Sequence, residues 1–117
     1  MAPRCVTLGG IVTIGSSGAI SSQDASSMSG GVVTQTGSED GRYSVAFTIK
    51  AKRNLGSFVN MVGPDDTGFP TTTGSDPQTR NLAATGFDVQ FKRTDTQADA
   101  DPASGTKFSW FARVALK

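Results

Sequence analysis

The stretch RYSVAFTIK, residues 42–50, decides the fold class because its side chains alternate in character. Aromatic and aliphatic residues recur at every second position, and most positions between them are polar. The apolar positions are Tyr43, Val45, Phe47 and Ile49. A period of two is typical of a strand with one buried face. The stretch therefore predicts a half-buried β-strand.

A hairpin is predicted immediately before this strand. GVVTQT, residues 31–36, is a second β-prone run, and GSEDG, residues 37–41, lies between the two. Asp40-Gly41 is a pair that tolerates the positive φ angles of tight turns. We therefore interpret Glu39 and Asp40 as turn residues rather than catalytic ones.

Two later segments repeat the alternation. GFDVQFK, residues 86–92, and KFSWFARVALK, residues 107–117, both place large apolar side chains on one face. Phe111 is the exception, because it falls on the polar side beside Arg113. An aromatic residue in that position either covers a second layer or lies in a subunit interface. A shorter apolar strand is predicted at residues 57–63.

The remaining segments are less regular. RCVTL and IVTI, within residues 4–14, are interpreted as one strand broken or bulged about Gly9-Gly10, and AISS, residues 19–22, as a minor strand. KAKRNLG, residues 50–56, is predicted to form one helical turn ending at its glycine. Residues 21–31 and 63–78 are predicted to be long polar connections.

The number and spacing of these strands predict an all-β fold. Six to eight short strands without βαβ alternation are typical of an antiparallel β-sandwich or a jelly-roll-like barrel, here with long polar loops. At 117 residues the chain has the size of one domain. We expect an extended N-terminal strand or arm over residues 1–14 and a single β domain over residues 15–117.

The composition argues against most catalytic classes. The chain has no histidine, its only cysteine is Cys5, and its only glutamate is Glu39. Triads that use histidine and zinc sites built from CxxC pairs are therefore excluded. A net charge of +1 argues against an electrostatically driven nucleic-acid binder. We predict no enzymatic activity, no catalytic residues, no metal site and no cofactor.

The clustered aspartates do not match a cation-binding loop. DTQADADPASGT, residues 95–106, lacks the glycine and the distal glutamate that an EF-hand loop requires. It is interpreted as a solvated hairpin loop between the strands at 86–92 and 107–117. Asp65-Asp66 fits a tight turn beside Pro64. The basic pairs at 50–53 and 92–93 favour a solvated face or an acidic protein partner.

The chain resembles small virion proteins of tailed bacteriophages, of the capsid decoration (cement) kind. The resemblance lies in the order of three segments: GGIVTIGSSGAISS at 9–22, SGGVVTQTGSEDGRYSVAFT at 29–48 and DPASGTKFSWFARVAL at 101–116. It implies a non-enzymatic protein that trimerises and clamps neighbouring subunits of the major capsid protein on the outer surface of the virion. It implies no direct contact with nucleic acid or membrane.

Two further expectations concern contacts. The β-rich N-terminal segment is expected to pair with a neighbouring subunit or the capsid by strand addition. The candidate assembly contacts are Arg4, Val6, Leu8, Ile11, Ile14, Phe111 and Arg113. The alternative function is a tail-fibre or spike tip that binds a host receptor or glycan through the loops at 63–78 and 94–106.

Overall fold

The computed structural model describes residues 4–23, 30–36, 40–62, 75–94 and 96–116. Within them the chain forms eight strands and one short 3-10 turn at Ser16–Gly18, so the all-β prediction is confirmed. The strands are β1 (Cys5–Ile14), β2 (Ile20–Gln23), β3 (Gly31–Gln35), β4 (Arg42–Phe47), β5 (Ala51–Val62), β6 (Ser75–Ala83), β7 (Gly86–Arg93) and β8 (Lys107–Leu116). In these parts of the chain no helix is long and apolar enough to cross a membrane.

The strands form two antiparallel sheets that pack face to face. Sheet A has the order β2-β1-β8-β5 and sheet B the order β3-β4-β7-β6. Of the two architectures that the sequence left open, the chain adopts the sandwich, because the sheets do not close into a barrel. The predicted hairpin at 31–50 is confirmed as the β3–β4 pair. Its turn contains Asp40 and Gly41, and Glu39 lies outside the described residues.

The core lies between the sheets and is built from the alternating residues of β4, β7 and β8. The side chains of Tyr43, Phe91, Phe108 and Trp110 are almost completely buried there. The rings of Tyr43 and Phe91 meet edge to face with centroids 5.6 Å apart. This geometry is favoured by the aromatic quadrupole. The predicted inward faces of these three strands are confirmed.

Tyr43 brings a hydroxyl group into this core. Its hydroxyl donates a hydrogen bond of 2.5 Å to the carbonyl oxygen of Gly18. Burial away from water disfavours the phenolate, and the nearby Asp101 carboxylate adds to this effect, so the pKa of Tyr43 is raised far above its ordinary value of 10.0. The hydroxyl therefore stays protonated and keeps its bond to Gly18.

We expect this shift to be visible directly, because Tyr43 is the only tyrosine. In the folded protein tyrosinate absorbance should stay absent as the pH passes 10, whereas the chain in urea should ionise near pH 10. Above that pH the native state holds a proton that the unfolded state has lost. The free energy of unfolding should therefore fall with rising pH, by up to about 1.4 kcal/mol per pH unit.

Tyr43→Phe is the control for this titration, since it removes the ionisable group and keeps the ring. The variant should lose the tyrosine-dependent part of the decline in unfolding free energy above pH 10. A native-state phenol that ionises near pH 10 in spectrophotometric titration would contradict the buried, hydrogen-bonded geometry.

β5 and β6 depart from the sequence-based expectations. Residues 51–56 form the start of β5 rather than a helical turn. β8 pairs with β1 along one side, and residues 51–56 pair with its other side, which satisfies their backbone hydrogen-bonding groups. Two register shifts against β8, between Ala51 and Arg53 and between Asn54 and Gly56, absorb their irregular pattern. Residues 75–78, expected to be loop, belong to β6, which pairs with β7. Residues 63–74 lie outside the described residues.

β1 is continuous through Gly9-Gly10, so the expected break is wrong. β1 pairs with β8 residue by residue from Cys5 to Thr13, and its register shift lies between Thr13 and Ile14, on the side of β2. The predicted minor strand at 19–22 corresponds to β2. The N-terminal segment thus lies inside the sandwich, between β2 and β8 of the same chain.

The connection between β7 and β8 is not a hairpin. It carries the chain from sheet B to sheet A, so the two strands it joins are not neighbours. The Oδ1 atom of Asp101 accepts a hydrogen bond of 2.6 Å from the backbone N–H of Gly41, and Pro102 is buried. The loop is therefore anchored to the β3–β4 turn rather than freely solvated.

Candidate interaction surface

The two outward faces of the sandwich differ in charge. None of the chain's ten acidic residues falls within the four strands of sheet A. These strands carry the cations Lys52, Arg53, Lys107 and Arg113. We call the residues of β1, β5 and β8 that point away from sheet B the sheet A outer face. This face is basic and has no acidic side chain of its own.

The centre of the sheet A outer face is aromatic. Phe111 on β8 lies opposite Gly9 on β1 and opposite Phe58 on β5. The Phe58 and Phe111 rings are stacked, with centroids 4.9 Å apart and planes inclined by 20°. This separation matches the spacing of neighbouring strands. The two rings therefore stand side by side on the sheet, with one face of each ring turned toward the other.

Gly9 makes this arrangement possible. A Cβ atom at Gly9 would lie 3.0 Å from the carbonyl oxygen of Trp110 and 3.3 Å from Cδ1 of Phe111. Both contacts are tighter than ordinary van der Waals packing, so a side chain here would push the Phe111 ring aside. The glycine explains why an aromatic residue on the outer side of β8 is only half exposed.

Ile11 extends the apolar area along β1. It pairs with Ser109, two positions before Phe111, and therefore lies diagonally beside the aromatic pair on the same face. Ile11 is 51% exposed and Phe58 is 59% exposed. We call Ile11, Phe58 and Phe111 the apolar patch.

Cations border the apolar patch. Arg113 is exposed on the row next to Phe111, and its Nη1 donates a hydrogen bond of 2.9 Å to Oγ1 of Thr7, which holds the guanidinium against the sheet. Lys107 and Arg53 are exposed farther along β8 and β5. Within the described residues, no acidic group lies within salt-bridge distance of these three side chains. Within that part of the chain, no acidic side chain neutralises them.

The outer face of sheet B is compensated internally. Arg80 pairs in register with Asp88, and Asp76 pairs in register with Lys92. Lys92 also forms a 2.7 Å ion pair with Asp99. The hydrogen bond from Lys92 and the positive charges nearby lower the pKa of Asp99. Opposite charges lie in register on this face, and the Asp88 carboxylate accepts hydrogen bonds from Ser44 and Asn81.

The side chain of Gln90 on sheet B also has its hydrogen-bonding groups satisfied within the chain. Although it points outward from sheet B, it is 1% exposed. Its Nε2 donates to the carbonyl oxygen of Asp40 at 2.9 Å, and its Oε1 accepts from Nε of Arg42 at 3.2 Å. This face of sheet B therefore has few unsatisfied groups to offer a partner.

The structure separates the candidate contact residues into two groups. Ile11, Phe111 and Arg113 lie together on the sheet A outer face. Leu8 and Ile14 are buried in the core, and Val6 packs against it. Leu8 and Ile14 are therefore core residues rather than contact residues.

Arg4, which was a candidate contact residue, and Phe58, which was not, are both exposed. Arg4 is exposed just before β1, and its carbonyl oxygen accepts a 2.7 Å hydrogen bond from the N–H of Leu116. Phe58 was not among the candidates, although it is the most exposed large apolar residue described. Its sequence signal was limited to the short apolar run at 57–63.

The aspartates of the 95–106 loop have structural partners. Asp99 binds Lys92 and Asp101 binds the backbone of Gly41. In the parts of the chain that the structure describes, no group of three acidic, histidine or cysteine residues is placed to hold a metal ion. Asp95 and the Asp65-Asp66 pair lie outside the described residues.

No protein-family model, curated protein or solved structure gave a match to this chain. The site must therefore be interpreted from its own chemistry.

Proposed function

We propose that the chain is a non-enzymatic virion structural protein of the capsid decoration type. It binds the outer surface of the major capsid shell and stabilises that shell, and it acts as a homotrimer. The observation that supports this proposal is the contrast between the two outer faces. One is charge-compensated, although Val32 and Leu82 are exposed on its strands, and the other combines the apolar patch with cations that no acidic side chain of the described residues neutralises.

This contrast suits a protein that lies on a larger assembly. Exposed apolar area bordered by polar residues is typical of protein–protein contact sites. A rigid two-sheet scaffold presents such a face without a large ordering cost, because its backbone is already fixed by strand pairing. Several copies joined in a trimer would add weak contacts into strong attachment.

Co-sedimentation with capsid shells tests the proposal. Expanded shells assembled from the major capsid protein of the same genome should carry the protein down in a saturable manner. Because a ligand that binds only the assembled state stabilises it, the shells should also disassemble at a higher temperature when the protein is bound. Light scattering on the free protein should report a trimer.

Two results would contradict the proposal. Absence of co-sedimentation at micromolar concentrations would remove the capsid function, and a strict monomer would remove the trimer. Localisation of the protein at the tail tip by electron cryo-microscopy would favour the alternative of a receptor-binding tip. Deletion of residues 2–14 is not a useful test, because it removes β1 from the middle of sheet A.

A further inference from the structure

We infer that the sheet A outer face is the docking surface and that its partner is an acidic protein surface with an apolar recess that receives Phe58. The inference rests on the proposed function, which identifies that partner as the capsid shell. It adds which face of the sandwich makes the contact and the chemistry that the partner must supply.

The positive charge of the sheet A outer face determines the charge that a partner surface must carry. Lys52, Arg53, Lys107 and Arg113 belong to strands that contain no acidic residue. A face-to-face contact between two copies would bring like charges together across a desolvated interface, which is unfavourable. The outer face of sheet B in another copy is internally compensated and offers no excess negative charge. An acidic surface of another protein complements the sheet A outer face.

Phe58 has the properties of an energetic anchor. Its side chain is 59% exposed, and its ring is supported on one side by Phe111. Because that support restricts the ring before binding, less conformational entropy is lost on docking. Aromatic and arginine side chains dominate measured hot spots, and Arg113 stands one row away, held by Thr7.

The ring geometry disfavours a single-stranded nucleic acid as the partner. Proteins of that class stack bases on exposed aromatic ring faces. Among the described aromatic residues only Phe58 is exposed, and Phe111 covers one of the two faces of its ring, so no series of ring faces is open for successive bases. An anionic membrane is also a poor match, because interfacial binding uses a broad apolar face that penetrates the acyl region. Among the described residues, the strands of sheet A expose only Ile11, Leu55 and Phe58 as large apolar side chains, and Phe111 is half buried.

The first test compares Phe58→Ser with Leu82→Ser. Both residues are exposed and apolar, but Leu82 lies on β6 of sheet B. In co-sedimentation with the shells, Phe58→Ser should raise the half-saturation concentration at least about tenfold, as expected for a hot-spot aromatic residue. Leu82→Ser should bind as the unmodified protein does. Urea unfolding should show that both variants remain folded.

The second test compares Arg113→Glu with Arg80→Glu, which change the net charge equally on opposite faces. Arg113→Glu should weaken shell binding about tenfold at low ionic strength and reduce its dependence on salt. Arg80→Glu should leave both unchanged. If both comparisons of variants give these results, the sheet A outer face is the docking surface.

The outcomes separate the two proposals. Failure of the unmodified protein to bind shells overturns both. Normal shell binding by Phe58→Ser and Arg113→Glu leaves the proposed function standing and overturns the docking surface. Binding of the unmodified protein to a 30-nucleotide oligothymidine or to phosphatidylserine vesicles, lost in Phe58→Ser, overturns the acidic protein partner. If light scattering shows a dimer of the unmodified protein that the Phe58→Ser variant does not form, the acidic protein partner is also overturned, because the face then binds a second copy of the chain.

Discussion

Replacing Gly86 by alanine should lower the free energy of unfolding by about 4 kcal/mol, from backbone strain together with lost ladder hydrogen bonds. Gly86 begins β7 with a φ of 156°, a conformation that residues with a side chain rarely adopt. A Cβ atom there would lie 2.0 Å from the carbonyl oxygen of Val45 and 3.3 Å from Cα of Ala46. Because these are backbone atoms of β4, no side-chain rotation relieves the clash. β4 and β7 must separate locally.

Gly56 provides the matched control within the same chain. Its φ is 158°, and nothing lies within 4 Å of the position that a Cβ would occupy. Gly56→Ala therefore carries the backbone strain without the clash and should cost only about 1–2 kcal/mol. Urea unfolding of both variants measures the difference. Equal losses would show that the approach of β4 to Gly86 does not restrict this position.

Trp110→Ala should cost about 4 kcal/mol of unfolding free energy, the range for truncating a buried aromatic residue. Trp110 is 2% exposed and packs against the rings of Phe47 and Phe87 from sheet B. Its Cη2 atom comes so close to Gly31 that a Cβ there would lie 2.7 Å away. The truncation leaves a cavity between the two sheets that neither can close without moving.

Phe58→Ala is the comparison for this loss. It removes an aromatic side chain from the strand paired with β8, but from the outer side of sheet A. Since Phe58 is largely exposed, its truncation should cost less than about 1 kcal/mol. Thermal or urea denaturation distinguishes the two. A loss at Phe58 as large as that at Trp110 would mean that the apolar patch supports folding rather than binding.

The strands that could be predicted from sequence are those with one face in the core. β4 and β7 alternate regularly, and β8 does so apart from Phe111, because one side of each strand meets the other sheet and the other side does not. β6 carries no such signal. Its sequence includes Pro77, which is tolerated because β6 is the last strand in the order of sheet B and bonds only to β7. Its identity as a strand depends on β7, which no local pattern reveals.

The same limit applies to the candidate surface. Phe111 stood out because it broke the alternation of its own strand. Phe58 did not, since its outward direction follows from its register with Phe111 rather than from its neighbours in sequence. Leu8 and Ile14 were grouped with Ile11 because the N-terminal segment was interpreted as an arm. Once β1 is a strand of the sandwich, Leu8 and Ile14 share the inner face and Ile11 the outer one.

The position of β8 between β1 and β5 has a consequence for folding during synthesis. Every strand of sheet B precedes residue 94, so its backbone pairing requires no residue of β8. β1 and β5, in contrast, have no central partner until residues 107–116 leave the ribosome. The nascent chain must therefore carry an apolar sheet without a cover, a state prone to aggregation and suited to chaperone capture.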